Sequence, residues 1–179
     1  MMGWFCRGSN FCVSLCFVLG IAMKITLVMV GKTEKRYLVE AFDEYVKRLS
    51  RYVRFDVRVL PDLRNTKSMP MEQQMQKEGV SILAAVAEAQ EVVLLDEHGS
   101  MPTSKELAAS IERRMVHGQR DLAFVIGGPY GFSSDVRQRA NGQLSLSKLT
   151  FSHQMVRVIF VEQLYRAFTI IEGEPYHHE

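Results

Sequence analysis

The residues best equipped for chemistry lie in the last third of the chain. The stretch AFVIGGPYGF, Ala123 to Phe132, runs four apolar residues straight into Gly127, Gly128 and, after Pro129 and Tyr130, Gly131. Residues without side chains let backbone N–H groups approach a ligand and let the chain turn where φ is positive. The same pattern also makes a plain strand-to-helix turn. It lacks the Gly-Lys-Ser/Thr of a Walker loop and the G-x-G-x-x-G spacing of a dinucleotide fold. Leu144 to Phe151, LSLSKLTF, mixes apolar residues with small hydroxyls and reads as extended chain. The segment HQMVRVIFVEQLYRAFTIIEG is apolar almost all the way round, the mark of a buried helix or a subunit interface. Arg157, Glu162 and Arg166 interrupt it, and buried charges cost free energy unless paired. Glu162 and Arg166, four apart, can pair on one face. Arg157 is left over and could meet a phosphate. His153 opens the segment, placed either for proton transfer or as a structural cap. The tail gathers Tyr176, His177, His178 and Glu179. Adjacent histidines rarely both face one ion and no distant third ligand stands out, so no metal is expected. The tail is either a frayed terminus or a closure over a pocket.

These residues need a frame. From Met23 the chain alternates extended and helical patterns. KITLVMVG reads as a strand ending at Gly31. Tyr37, Leu38, Ala41, Phe42, Tyr45, Val46 and Leu49 recur at helical spacing. FDVRVLPD alternates as a strand, with Phe55, Val57 and Val59 on one face. A polar loop to Pro70 leads into the helix MEQQMQKEGVSILAAVAEA, weakened by Gly79. EVVLLDE is a short buried strand and HGSMP a turn. Thr103 and Glu106 form a capping box that opens a helix to about His117, stopped by Gly118. DLAFVIGG is the next strand, a short helix lies around Ser134 to Ala140, QLSLSKLTFS contains another extended piece, and a long helix runs from about His153 to Glu172. Strands alternating with helices predict an α/β fold, a mostly parallel sheet with helices on both faces. Ligands in such sheets bind outside the carboxyl ends of the strands. Three ends matter: Leu95–Asp96, Gly127–Gly128 and the stretch around Leu149.

The chain has 179 residues, 47% of them apolar, enough for one domain with a core. A net charge of +2 excludes a polyanion binder by bulk composition. The charge is uneven: residues 24–67 hold eleven Lys and Arg against six Asp and Glu, and residues 68–179 hold ten against fourteen. A basic first third can face a phosphate backbone or simply water. All three cysteines, Cys6, Cys12 and Cys16, fall in the first sixteen residues. The cysteine-free body suits a reducing cytosol. Residues 1–22 contain the apolar run FCVSLCFVLGIA, which is either a weak export signal or the product of a start codon assigned too early. MKITLVMVGK at Met23 reads as the natural beginning. The domain plan is therefore an N-terminal extension, 1–22, and one domain, 23–179.

Taken together, MKITLVMVGK, IGGPYG and LSLSKLTFSHQMVRVIFVEQLYRAFTIIEGEPYHHE resemble the bacterial 23S ribosomal RNA pseudouridine N3-methyltransferases of the SPOUT superfamily. The likeness covers Met23 to Glu179. It implies S-adenosylmethionine as cofactor, a C-terminal trefoil knot, a homodimer and a ribosomal RNA substrate. A knot is contrary to general topology rules; only the resemblance implies it. The resemblance places cofactor contacts on Leu95, on Gly127, and on Leu146, Ser147, Lys148, Leu149, Thr150 and Phe151. The sulfonium methyl is already electrophilic, so no metal is called for, and positioning should supply most of the rate. The N3 proton must leave, and His153, Tyr176 and His177, with Arg157 as electrostatic support, are the candidate catalytic residues. His178 stands where such tails often carry Arg or Lys. Lys32, Lys35, Arg36, Lys47, Arg48 and Arg51 are the expected grip on ribosomal RNA. Alternatives are a related knotted tRNA methyltransferase and a non-catalytic ribosome-binding assembly factor. The expected location is the cytoplasm, with no membrane partner.

Overall fold

The computed structural model describes residues 23–63 and 66–177. The N-terminal extension with its cysteines, and His178 and Glu179 of the tail, lie outside the described residues. The elements are β1 (Lys24–Val30), α1 (Arg36–Leu49), β2 (Arg54–Leu60), α2 (Met71–Ala85), β3 (Glu91–Ser100), α3 (Ser104–Val116), β4 (Asp121–Ile126), α4 (Ser134–Arg139), β5 (Gly142–Leu144) and α5 (Met155–Ile171). A short 3-10 turn at Thr66–Ser68 precedes α2.

The strands form one sheet in the order β2-β1-β4-β3-β5, and every neighbouring pair is parallel. Side chains alternate across it. Ile25, Leu27, Met29, Leu122, Phe124 and Ile126 point to one layer, where α1, α3 and α5 cover them. Val28, Val30, Val92, Leu94, Ala123 and Val125 point to the other, under α2 and α4. Strands buried on both faces are why β1, β3 and β4 read as near-continuous apolar runs. The last helix closes the first layer. Its Phe160, Leu164 and Phe168 are fully buried, and each such side chain contributes about 1.5–3 kcal/mol through burial. Phe160 also packs on Phe124 of the central strand, ring centroids 4.8 Å apart.

Local signals hold where they are chemical. The Thr103 hydroxyl accepts the Glu106 N–H at 3.2 Å, and the Glu106 carboxylate accepts the Thr103 N–H at 2.7 Å, a reciprocal capping box. Gly118, φ 73°, ends α3. Three expectations need correction. HGS is not a turn: β3 runs on to Ser100, whose carbonyl accepts the Ser145 N–H at 2.8 Å. A Cβ at Gly99 would fall 2.5 Å from the Leu144 backbone nitrogen, so only glycine lets β3 and β5 approach this closely. The extended piece after Gln143 is strand only to Leu144. Beyond it the hydroxyls turn the chain, with Ser145 Oγ donating to the Ser147 carbonyl at 3.0 Å and Ser147 Oγ accepting the Leu149 N–H at 2.9 Å. Gly79 is not a weak point in α2. It is where α2 presses on the loop between β4 and α4, since a Cβ there would lie 2.4 Å from Ser133 Oγ.

Candidate functional site

The carboxyl ends of β3, β4 and β5 open on one cavity of about 510 Å³. Its walls come from three segments. β3 supplies Leu95, where its pairing with β4 ends, and the following Asp96, Glu97 and His98. The loop after β4 supplies Ile126 to Phe132. The loop after β5 supplies Ser145, Leu146, Ser147, Leu149 and Phe151, and Ser152, His153 and Val156 complete it at the start of α5. The glycine loop is tight: the Gly131 N–H donates to the Gly128 carbonyl at 3.2 Å, and Gly131 sits at φ 83°. A Cβ at Gly127 would meet the Phe132 ring at 3.0 Å, so the bare backbone itself forms the wall there.

Polar chemistry in the cavity centres on Asp96. Its side chain is 6% exposed and accepts from Arg137 Nη2 at 2.8 Å, from the His98 N–H at 2.9 Å and, on the same oxygen, lies 3.0 Å from His98 Nδ1. Burial pushes this carboxyl up, but the bonds from His98 and the Arg137 charge outweigh it and hold Asp96 below the usual carboxylate range. Arg137 also lies over the Phe132 ring, 5.9 Å from the centroid, at the outer edge of cation–π range. It therefore ties α4 to both the glycine loop and the end of β3. His153 stands exposed at the cavity, and Ser152 Oγ accepts the Met155 N–H at 3.3 Å to start α5.

The other candidates lie elsewhere. Arg157 does not reach the cavity. It is wholly buried, donating to Thr33 Oγ1 at 2.9 Å and to the Val30 carbonyl at 2.6 Å. Burial pulls its pKa down and the Asp62 charge partly offsets that. The reading of Arg157 as a free cation for phosphate is thus corrected: it ties the start of α5 to the end of β1, beside the bond from the Glu34 N–H to Gln154 Oε1 at 3.1 Å. Glu162 and Arg166 do pair, at 2.6 Å. They also hold the tail. Tyr176 donates to Glu162 Oε1 at 3.2 Å, its hydroxyl lies 3.3 Å from that of Tyr45, and its ring packs edge-on against Tyr165 and under Arg166. Burial, then the Tyr45 hydroxyl and the Glu162 charge, push its pKa above the usual phenol range. Tyr165 is ten residues beyond Met155, about 15 Å along the helix axis. Tyr176 and His177, half-buried at that anchor, do not line the cavity of their own chain.

A family model described as "Predicted SPOUT methyltransferase" matches residues 23–177. The chain belongs to the SPOUT methyltransferase family. Curated relatives named "Ribosomal RNA large subunit methyltransferase H" come from Bacteroides thetaiotaomicron, 52% identical, Porphyromonas gingivalis, 50%, and Flavobacterium johnsoniae, 46%. Each match spans 157 residues, 88% of this chain and 100% of the relative. The solved structure described as "Probable Methyltransferase from Bordetella pertussis Tohama I" has a TM-score of 0.55 at 11% identity, covering 83% of this chain and 96% of that one. At that identity the likeness speaks for the fold alone.

Within this SPOUT chain, the positions that the resemblance marks for a cofactor divide in two. Leu95, Gly127, Leu146, Ser147, Leu149 and Phe151 come together in the cavity wall, while Lys148 and Thr150 are exposed beside it and outside the lining. Sequence reasoning passed over Glu97, His98, Tyr130, Arg137 and Ser145, and named Asp96 only as a strand end. A carboxylate closing the apolar run EVVLL was the available signal, because an Asp there must find partners where the sheet ends. Among the described residues no cluster of three or more His, Cys, Asp or Glu is arranged to hold a metal ion, and no helix is long and apolar enough to cross a membrane.

Proposed function

We propose that this chain is an S-adenosylmethionine-dependent methyltransferase acting on N3 of a pseudouridine in large-subunit (23S) ribosomal RNA, as a cytoplasmic homodimer with a knotted C-terminal segment. The observation that carries the reading is the meeting of three strand ends, Leu95, Gly127 and Leu146 to Phe151, around one cavity in a SPOUT chain. The residues present fit the cofactor. About 510 Å³ is the size of a small-molecule site. Leu95, Ile126, Leu146 and the bare Gly127–Gly128 backbone suit a flat purine, and the ionised Asp96 suits a polar or cationic end. Leu95, Gly127, Leu146, Ser147, Lys148, Leu149, Thr150 and Phe151 are the proposed cofactor contacts, Lys148 and Thr150 from the rim.

Bound S-adenosylmethionine supplies a methyl group already activated on a sulfonium. The chain must then hold the RNA base, exclude water and accept one proton. The base has to leave its stack to enter the cavity, and holding it in line supplies most of the rate. His153, exposed at the cavity, takes the N3 proton as nitrogen gains the methyl group. Tyr176 and His177 serve the partner's cavity: antiparallel pairing of two α5 helices would bring each tail to the other's helix start. Met155, Ile159 and Ile170, which are not fully buried on α5, give that pairing an apolar face. A phenol that holds its proton tightly makes Tyr176 a clamp for the base and not a proton acceptor. Arg157 supports His153 indirectly, by fixing the start of α5.

The test is mass spectrometry of ribosomal RNA from cells lacking the gene. One methylpseudouridine should disappear, return with the wild-type gene and fail to return with His153→Ala. An unchanged modification map refutes the reading. Label appearing in tRNA would favour the related tRNA enzymes. Absence of both heat and thermal shift on adding S-adenosylmethionine would favour a ribosome-binding factor without turnover.

A further inference from the structure

A carboxyl group on α2 stands outside the chemistry described so far. Glu78 is 4% exposed. Its Oε1 accepts from Gln74 Nε2 at 3.0 Å, while Oε2 is buried and finds no hydrogen-bond partner among the described residues. An unsatisfied buried polar atom costs about 1–3 kcal/mol, and a methionine or leucine would fill the same space without that cost. Packing alone is therefore a poor reason for a carboxyl here.

Its neighbour is the glycine loop. A Cβ built on Gly128 would lie 2.4 Å from Glu78 Oε2 and 2.9 Å from both Cδ and Oε1. The carboxyl thus covers the Gly128 Cα. Gly128 lines the cavity and Glu78 does not, so one glycine stands between the carboxyl and the site. The next residue of α2, Gly79, lets the helix touch Ser133, which caps α4 at the far end of the same loop. Two consecutive α2 residues therefore back the loop at both of its ends.

We infer that Glu78 is a positioning residue for the cofactor site: its carboxyl fixes the Gly127–Gly128 backbone from behind and so sets cofactor affinity without touching cofactor or RNA. The role rests on the proposed binding of S-adenosylmethionine in this cavity. Desolvation, with the Asp62 charge adding to it and the Gln74 bond opposing it, raises the pKa of Glu78. Glutamine copies the shape of the carboxyl without its charge.

The experiment is calorimetric titration of the full-length protein with S-adenosylmethionine, alongside steady-state methylation of ribosomes. Wild type, Glu78→Ala, Glu78→Gln and Val86→Ala are compared. Val86, buried lower in the same layer, is a packing control. Glu78→Ala should weaken cofactor binding about tenfold, the equivalent of about 1.4 kcal/mol, and raise the cofactor KM by the same factor with kcat little changed. Glu78→Gln should restore affinity to near the wild-type value. Val86→Ala should lower Tm without moving affinity. Wild-type affinity in Glu78→Ala, or an equal loss in Val86→Ala at the same drop in Tm, overturns the inference. If wild type itself binds no S-adenosylmethionine, the cofactor reading fails first and the role of Glu78 falls with it.

Discussion

Arg157 is the sharpest place to separate a catalytic cation from a structural one. Replacing it with alanine removes two charge-assisted bonds, at 2.9 Å to Thr33 and 2.6 Å to the Val30 carbonyl. Bonds of this kind are worth about 1.5–3 kcal/mol each. Some of that is already offset, because the buried Nε finds no partner among the described residues and the guanidinium is desolvated. Deleting Arg157 leaves two neutral acceptors without their donor, at about 1–3 kcal/mol each. For a domain of this size each kcal/mol moves Tm by about 2–4 °C, so Arg157→Ala should melt roughly 4–24 °C lower. Arg157→Lys, with a single ammonium for two acceptors, should fall between. Melting is followed by circular dichroism at one fixed protein concentration, since association would otherwise shift Tm. Methyl transfer to ribosomes is then measured well below both melting points. Folded Arg157→Ala should keep activity within a few-fold of wild type. Loss of an electrostatic catalytic group costs roughly 10²–10³ in kcat. A loss of that size at unchanged Tm would refute the structural assignment.

Gly128→Ala should lower both stability and cofactor affinity, because the new Cβ would fall 2.4 Å from Glu78 Oε2; overpacking of this kind costs about 1–3 kcal/mol. Gly131→Ala should cost about 1–2 kcal/mol through its positive φ alone, its nearest neighbour being 3.8 Å away, and denaturant melts of the two variants test the contrast. Glu78 has a raised pKa, so its contribution to stability is complete below the ordinary carboxylate pKa and is lost as pH rises through the raised value. Glu78→Gln cannot ionise and should gain stability over wild type as pH rises above the ordinary carboxylate range, in denaturant midpoints; a gap that does not change with pH would contradict this. Reversing Lys47 and Arg48, in the last turn of α1, should reduce ribosome methylation most at low salt and flatten its salt dependence, while S-adenosylmethionine binding stays unchanged. Equal activity at every salt concentration would mean that this surface only meets water.

Much of the frame was legible because it rests on local rules. The alternation in KITLVMV and the short apolar run DLAFVI, set between helical patterns, read as strands of a covered sheet, and the Thr103–Glu106 box marks a helix start by its own hydrogen bonds. The site was legible as a place: the carboxyl-end rule picked the strand ends that line the cavity. What failed was anything decided by residues distant in the chain. HGS looks like a turn until Gly99 meets Leu144. Arg157 looks unpaired until Val30, 127 residues earlier, supplies its carbonyl. Glu78 sits in an unremarkable helical pattern, and only the fold brings it against Gly128. The hydroxyls of Ser145 and Ser147 could serve a strand or bend the chain, and local bonds chose the second.

The bond between Arg157 and the Val30 carbonyl joins the final helix to the first strand, and it bears on how the polypeptide is made. β1 leaves the synthesising machinery early, yet the layer over Ile25, Leu27 and Phe124 is incomplete until α5 follows. A nascent chain that stops short of Met155 would carry an oily sheet face open to water, with most of its length already synthesised. Contacts that span the sequence end to end also delay folding, since long loops must close first. Such a product is prone to clump or to be degraded before it can fold. Quality control of the nascent chain therefore hangs on the arrival of α5.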